Sequence, residues 1–451
     1  MLIRFVLSNF FSFGEEREFN MIPGPRLRTL EHHKYKVQDF ELLKMASIYG
    51  ANGSGKSNLL KSIELLQNIV VNERVPSSTF AKRFKFHDLN VVKEQMLAIE
   101  FFVSNVPYYY AIQFLEGEIS SEELYVSGLG KNEDKLVFER KLNGENSNIR
   151  FSSDFEQDQE SIILKKVIEK SISKPNKSLL KFLSTTDNPF LEDTKAAFSW
   201  FEKSLQIITP SSRPNGLILQ LEKDEGFKAF AEKIMCAFNV GISEMAIKSQ
   251  TLSNFLGGNE KEEMRELIDQ LEDSPKKALV MRTSQGGDYV LQKKGDDYMV
   301  RNVGFVHRGK GGKTADFDLT EESDGTIRLL DFVPAFEHIA NKNRVYIIDE
   351  IERSIHPLLI KELVRKISLD TSSKGQLIFT THESNLLDQE IFRQDEIWFT
   401  EKDLEGISDL YSLSDFKEHN TIDIRKGYLM GRYGSIPFLG NLRDLNWQQH
   451  E

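Results

Sequence analysis

Apolar and polar positions alternate along Leu2-Ile3-Arg4-Phe5-Val6-Leu7, and the pattern breaks at Asn9 and again at Ser12-Phe13-Gly14. Alternation of period two bounded by turn residues predicts a β-hairpin over residues 1–20, with Arg4 and Asn9 at exposed strand positions. Residues 21–44 contain Pro23-Gly24-Pro25 and the adjacent pair His32-His33, which lacks metal-site spacing, so a surface loop is expected. Residues 45–49 are apolar without alternation, as in a strand buried on both faces. From Lys56 to Val70 the apolar residues recur at three- and four-residue intervals, which predicts a helix. Two strand-like runs, 96–103 and 108–114, flank Ser104-Asn105 and Pro107 and predict an antiparallel hairpin.

From about Glu116 the chain becomes charged and rich in Asn and Ser through Ser153. Helical spacing follows at 161–173, 192–208 and 226–245, and at 260–271, where Ser274-Pro275 ends the run. Residues 116–277 therefore read as a mostly helical insertion. Strands return at 278–281, 289–293 and 298–301, with Gly286-Gly287 and Gly295-Asp296 as turns, and 302–313 reads as a mobile Gly/Lys/Arg loop. Residues 319–330 read as a loop entering a helix. Apolar strands at 344–350, 376–381, 396–400 and 410–413 complete the pattern, and no sustained heptads announce a coiled coil.

The 451 residues carry a net charge of −11, which disfavours a generally basic nucleic-acid surface and confines any DNA contact to a local patch. The most basic run, Lys165, Lys166, Lys170, Lys174, Lys177 and Lys181, reads first as a solvated helix face. The single cysteine, Cys236, lies among Ile234, Ala237 and Phe238 and reads as a buried small hydrophobe. The N-terminal strand lacks the marks of a signal peptide and no apolar run reaches membrane-spanning length, so no membrane association and a cytoplasmic location are expected.

Chemistry concentrates in Gly50-Ala51-Asn52-Gly53-Ser54-Gly55-Lys56-Ser57, which matches the phosphate-binding loop G-x-x-x-x-G-K-[ST] at a strand-to-helix turn. The glycines let backbone N–H groups wrap a triphosphate, and the helix N-terminus adds partial positive charge. Lys56 would reach the β and γ phosphates of ATP, and the Ser57 hydroxyl would face Mg²⁺. Asn52, Gly53, Ser54, Gly55 and Asn58 complete the expected nucleotide-binding set. The strand at 344–350 delivers two acids at its C-terminal end: Asp349 for the Mg²⁺ coordination sphere and Glu350 for the attacking water. His382 follows the strand at 376–381 and would lie beside the same edge. Ser323 is a plausible N-cap, and Ser323 to Thr326 leave donors at a helix N-terminus.

The order of these motifs resembles the ABC-type ATPase heads of the SMC, Rad50 and RecF group. Glu322-Ser323-Asp324-Gly325-Thr326, Ile348-Asp349-Glu350-Ile351-Glu352 with His356-Pro357, and the tail Gly427-Tyr428-Leu429-Met430-Gly431-Arg432-Tyr433-Gly434-Ser435-Ile436-Pro437 look like its AAA15 branch, rich in bacterial anti-phage defence ATPases. The resemblance implies an α/β head with a mixed sheet and an antiparallel β-subdomain, interrupted by the insertion. Residues 1–115 and 278–451 would be the two parts of that head. It further implies a head-to-head dimer in which Ser323 and Gly325 cover the nucleotide held by the partner copy, with Glu350 and the switch residue His382 acting in hydrolysis. Size and the lack of an attached effector look most like the ATPase subunit of PARIS-type systems, which implies a nuclease-like effector encoded nearby and a phage-derived trigger. A DNA-repair or DNA-clamping ATPase is the alternative. Three departures stand beside the resemblance: no clear Q-loop glutamine beyond Gln95 or Gln113, Arg353-Ser354-Ile355-His356 after Glu350, and no long coiled coil.

Overall fold

The computed structural model describes residues 1–87, 93–143, 146–214, 216–238, 241–257, 261–274, 277–282, 288–416, 418–419 and 422–436. The turn expected at Gly286-Gly287, Pro275 and the tail's Pro437 lie outside them. The chain divides into two compact units, one of residues 1–210, 339–351 and 361–451, the other of residues 211–338 and 352–360.

The first unit is built on two sheets. The parallel sheet has the strand order 205–208, 345–348, 376–380, 45–49, 397–402, 408–412, and only its last pair is antiparallel. Met45–Tyr49, Val345–Ile348 and Gln376–Thr380 are buried at every position, which explains why they lack alternation. Their register aligns Ile348 with both Ile208 and Phe379, and Thr380 with Ile48, so the C-terminal ends share one edge. The helix Lys56–Asn72 springs from that edge and buries Leu59, Leu60, Ile63, Leu66, Ile69 and Val70, a stripe at helical spacing.

The other sheet has seven antiparallel strands in the order 146–151, 135–143, 118–126, 106–115, 95–103, 2–8, 17–20. Here the structure departs from the helical insertion expected from residue 116. Residues 118–151 supply three strands that extend the sheet, because their charges pair inside it. Glu122 and Arg140 are both fully buried and bonded to each other, and Glu122 also accepts from the Tyr110 hydroxyl at 2.9 Å and from Leu179 N at 3.0 Å. Buried, paired charges read in sequence as surface text. Helices between residues 153 and 199 follow, with Trp200 stacked on Phe101 at 4.3 Å between centroids. Leu205–Ile208, expected to be helical, is the parallel strand beside Val345–Ile348.

Two further expectations give way in this unit. Residues 34–43 form a small hairpin rather than a loop, and His33 is fully buried, with Nδ1 2.8 Å from Glu396 Oε2 and Nε2 2.8 Å from Ser368 Oγ. Asn9 is buried with φ 57°, donates to the Lys93 carbonyl at 2.9 Å and accepts from Phe84 N at 3.1 Å, a turn-fastening role rather than an exposed strand position. Arg4, by contrast, is partly exposed and pairs with buried Glu100 at 2.6 Å.

In the second unit, strands 242–251, 297–308, 288–294 and 278–282 form an antiparallel sheet, and 314–318 pairs with 297–308. Asp297–Arg308 therefore continues through residues expected to be a mobile loop, its polar groups spent on pairing with Ile242–Thr251. Leu252, Leu271, Leu291 and Val300 form the core under the helix Lys261–Glu272. Cys236 is only partly buried.

Candidate nucleotide site

Each turn of the phosphate-binding loop has a physical cause. A Cβ on Gly50 would overlap Ser54 Oγ and Thr400 Oγ1, so no side chain fits there. Gly53 has φ +78° and Gly55 φ +124°, values that disfavour L side chains. Around Gly53 a Cβ would meet nothing within 4 Å, which leaves the loop's crest open on that side. The loop is fastened from beneath: Ser54 Oγ lies 2.6 Å from Thr400 Oγ1, and the Ser408 hydroxyl is 2.6 Å from the Ser54 carbonyl and 2.7 Å from Ser12 Oγ. Asn58, expected to touch nucleotide, donates to Ser12 Oγ at 2.8 Å and so ties the N-terminal hairpin to the loop's helix.

Lys56 is nearly buried, and Nζ donates to the carbonyls of Gly50 at 2.7 Å and Ala51 at 3.1 Å. His382 Nδ1 lies 3.5 Å from the same ammonium. The shared sheet edge makes this meeting unavoidable, since Thr381 N bonds the Ile48 carbonyl at 3.0 Å, immediately before Tyr49 and Gly50. Asp349 arrives from the neighbouring strand, where its N–H donates to the Ile208 carbonyl at 2.8 Å. Its Oδ1 accepts from Ser57 Oγ at 3.1 Å and from Thr380 Oγ1 at 2.6 Å. The Thr380 hydroxyl in turn accepts from Glu350 N at 2.8 Å, and Glu350 has φ +52°. That left-handed backbone is uncommon for a residue with a Cβ and is held by the threonine.

The structure thus brings Lys56, Ser57, Asp349 and His382 together, with Glu350 directly after Asp349. Ser323 and Gly325 belong to the second unit. There Ser323 Oγ accepts from Thr326 N at 3.1 Å, an N-cap on the helix Asp324–Asn341. Gly325 is required by a close approach, because a Cβ would lie 2.6 Å from the Ser354 carbonyl oxygen. In the same helix the Asp331 carboxyl is pushed up to about 7 by burial, against the opposing pull of Arg213, whose Nη1 is 3.2 Å away. Gln95, one of the two Q-loop candidates, donates to the Thr79 carbonyl at 3.3 Å.

Ser57 and Asp349 fit Mg²⁺: a hydroxyl and a carboxylate already in contact are hard oxygen donors, and Mg²⁺ at a triphosphate needs only one or two from protein. Thr380, Thr400, Ser408 and Ser12 escaped the sequence reading. Hydroxyl residues within strands and turns carry no periodicity, and only the P-loop contacts reveal them.

Among solved structures, an SMC head bound to the C-terminal winged-helix domain of ScpA aligns with TM-score 0.42 at 12% identity, covering 92% of this chain and 99% of that one. The SMC head domain from Thermotoga maritima aligns with TM-score 0.39 at 12% identity, over 91% and 98%. The SMC head of Pyrococcus furiosus with an extended coiled coil and the C-terminal domain of ScpA gives 0.37 at 12%, over 96% and 98%. No curated protein matches the sequence. A family model described as "AAA domain, putative AbiEii toxin, Type IV TA system" matches residues 45–388, from the P-loop strand through His382. With most of its length inside that match, the chain belongs to this AAA-domain family of P-loop ATPases.

Proposed function

We propose that the chain is an ATP-binding and ATP-hydrolysing switch that controls a separate effector. The observation that carries this reading is the convergence of Lys56, Ser57, Asp349 and His382 at one edge of the parallel sheet. The loop's N–H groups and the N-terminus of Lys56–Asn72 would hold the triphosphate, with Lys56 exchanging the Gly50 and Ala51 carbonyls for phosphate oxygens. Ser57 and Asp349 would hold Mg²⁺, which when bound neutralises charge on the β and γ phosphates. Glu350 would orient water and accept its proton, while His382 would hydrogen-bond the γ-phosphate. In a head-to-head dimer, Ser323 and Gly325 of one copy would complete the site of the other.

The described residues after His382 form two strands, short turns and a six-residue helix. The family description, a putative toxin of a type IV toxin–antitoxin system, supports a toxic circuit. Within it we place the chain as the cytoplasmic sensor ATPase of an anti-phage defence system, releasing a nuclease-like effector when a phage component is sensed. No helix among the described residues is long and apolar enough to cross a membrane. The test is steady-state ATP turnover of the wild type against Glu350→Gln, then growth arrest and nuclease activity with and without the genomic neighbour after phage challenge. Nucleic-acid cleavage by the purified chain alone, abolished by a substitution within it, refutes the separate effector.

A further inference from the structure

The tail motif around Gly431-Arg432-Tyr433-Gly434-Ser435-Ile436 has no part in the chemistry above, yet it is built against the strand that delivers the P-loop. Tyr428 packs edge-on against Tyr49, the residue before Gly50, at 5.8 Å between ring centroids. Tyr428 and Tyr433 both stack on Phe399, at 5.8 and 5.7 Å, and Phe399 is the register partner of Tyr49 in the sheet. The Tyr411 hydroxyl donates to the Tyr433 carbonyl at 2.8 Å and lies 3.1 Å from Ser435 Oγ. Gly431, Gly434 and Ser435 all have positive φ, and a Cβ on Gly434 would collide with Glu401 and the Tyr411 hydroxyl. This stack holds Ile436 at the surface, 39% exposed, beside the loop's crest.

Ile436 lies on the rim shared by two clefts that both include Ala51 and Asn52. The smaller, about 530 Å³, runs past His382, Tyr428 and Leu429. The larger, about 950 Å³, runs past Gly53 and Ser54 to Arg17, Leu404 and Ile407. Its walls also carry Glu401, Asp403 and Asp409 against the cations Arg17 and Lys402, and Arg17 is paired with Asp409 at 2.7 Å. Carboxylates in excess disfavour a phosphate tail there, whereas Leu404, Ile407 and Ile436 suit an apolar ring. His382 marks the smaller cleft as the γ-phosphate side.

We propose that the larger cleft receives the base and ribose of the bound nucleoside triphosphate, and that the turn ending in Ile436, together with Leu404, forms its apolar wall. This rests on the P-loop reading of the site. The tail would then be the element through which the chain tells a nucleotide from a bare polyphosphate. Its glycines are required by the turn that places Ile436.

The experiment measures equilibrium binding of ATP and of inorganic tripolyphosphate, each with Mg²⁺, to the full chain and its variants, with circular dichroism melts as the folding control. Wild type should bind ATP more tightly than tripolyphosphate. Ile436→Ser and Leu404→Ser, both neutral changes at exposed positions, should each weaken ATP by roughly tenfold while leaving tripolyphosphate unchanged. Leu429→Ser, on the wall of the smaller cleft, should leave the ratio of ATP to tripolyphosphate affinity within about twofold of wild type. Unchanged ATP affinity in both Ile436→Ser and Leu404→Ser overturns the proposal, as does a loss seen only in Leu429→Ser. Lys56→Ala separates the two readings: it should abolish binding of both ligands, and if it does not, the P-loop reading itself fails.

Discussion

Thr380→Val is the most discriminating test of how the acids are held. The change keeps volume and β-branching but removes a hydroxyl that donates to Asp349 Oδ1 at 2.6 Å and accepts from Glu350 N at 2.8 Å, at a fully buried position. Leaving the Glu350 N–H without its acceptor should cost about 1–3 kcal/mol of stability. The effect on turnover is separable. Glu350 sits at φ +52°, a left-handed conformation worth about 1 kcal/mol of strain at the low end, and the lost bond is worth about 1 kcal/mol more. The strain is present in both proteins, so the substitution shifts Glu350 toward relaxation by the lost bond alone, about 1 kcal/mol or roughly fivefold in the population of the water-orienting pose.

The assay pairs phosphate release at saturating ATP with equilibrium ATP binding. Thr380→Val should lower kcat roughly fivefold and change ATP affinity little, because Lys56 and the loop N–H groups are untouched. Thr380→Ser retains the hydroxyl and should recover most of the loss. A valine variant that turns over like wild type, or a serine variant as impaired as valine, refutes the view that Thr380 holds Glu350 in place.

Glu350→Gln should bind ATP normally and hydrolyse it at least about a hundredfold more slowly, while Lys56→Ala should lose binding, as read by titration and phosphate release. Normal turnover in Glu350→Gln would remove it from the chemistry. Mixing Lys56→Ala with Ser323→Arg subunits should restore one complete site per dimer, and verified heterodimers without recovered turnover would count against the sandwiched arrangement. Asp331 supplies a pH prediction: its carboxyl is held at about 7 in the folded chain, above its ordinary value of 3.8. The folded state thus keeps a proton that the unfolded state gives up, so this contribution is present at low pH and lost as pH rises through about 7. Asp331→Asn should flatten that part of the melting profile between about pH 4 and pH 7, and an unchanged slope would assign the dependence elsewhere.

The strands of the parallel sheet were legible because burial on both faces leaves unbroken apolar runs, as in Met45–Tyr49 and Gln376–Thr380. Residues 118–151 misled for the opposite reason. Glu118-Ile119-Ser120-Ser121-Glu122-Glu123 looks like solvated text, but Glu122 is buried on Arg140 and on the backbone of Leu179. A sequence records the charge and not its partner. His33 shows the same blindness: the carboxylate it meets, Glu396, is more than three hundred residues away and is itself held toward its protonated form by burial. Helix-to-strand changes at 242–245 and Leu205–Ile208 were hidden because short apolar runs fit either period until a neighbouring strand supplies the ladder.

At the site, legibility followed how tightly chemistry constrains residue type. Gly50, Gly55 and Lys56 could be read directly, since a Cβ has no room at Gly50, φ is +124° at Gly55, and Lys56 supplies the cation. Asn58 and Thr380 show the limit. Asn58 follows the motif and also binds Ser12, a partner that adjacency in sequence does not show, whereas Thr380 looks like any β-branched strand residue yet bonds one acid's carboxylate and the other's backbone. What distinguishes Thr380 is register: it is the last residue of its strand, aligned with Ile48, and the following residues return to the Ile48 carbonyl and to Lys56. Strand order, with 376–380 between the P-loop strand and the acid strand, therefore turns an ordinary threonine into the joint between the P-loop strand and the pair Asp349-Glu350.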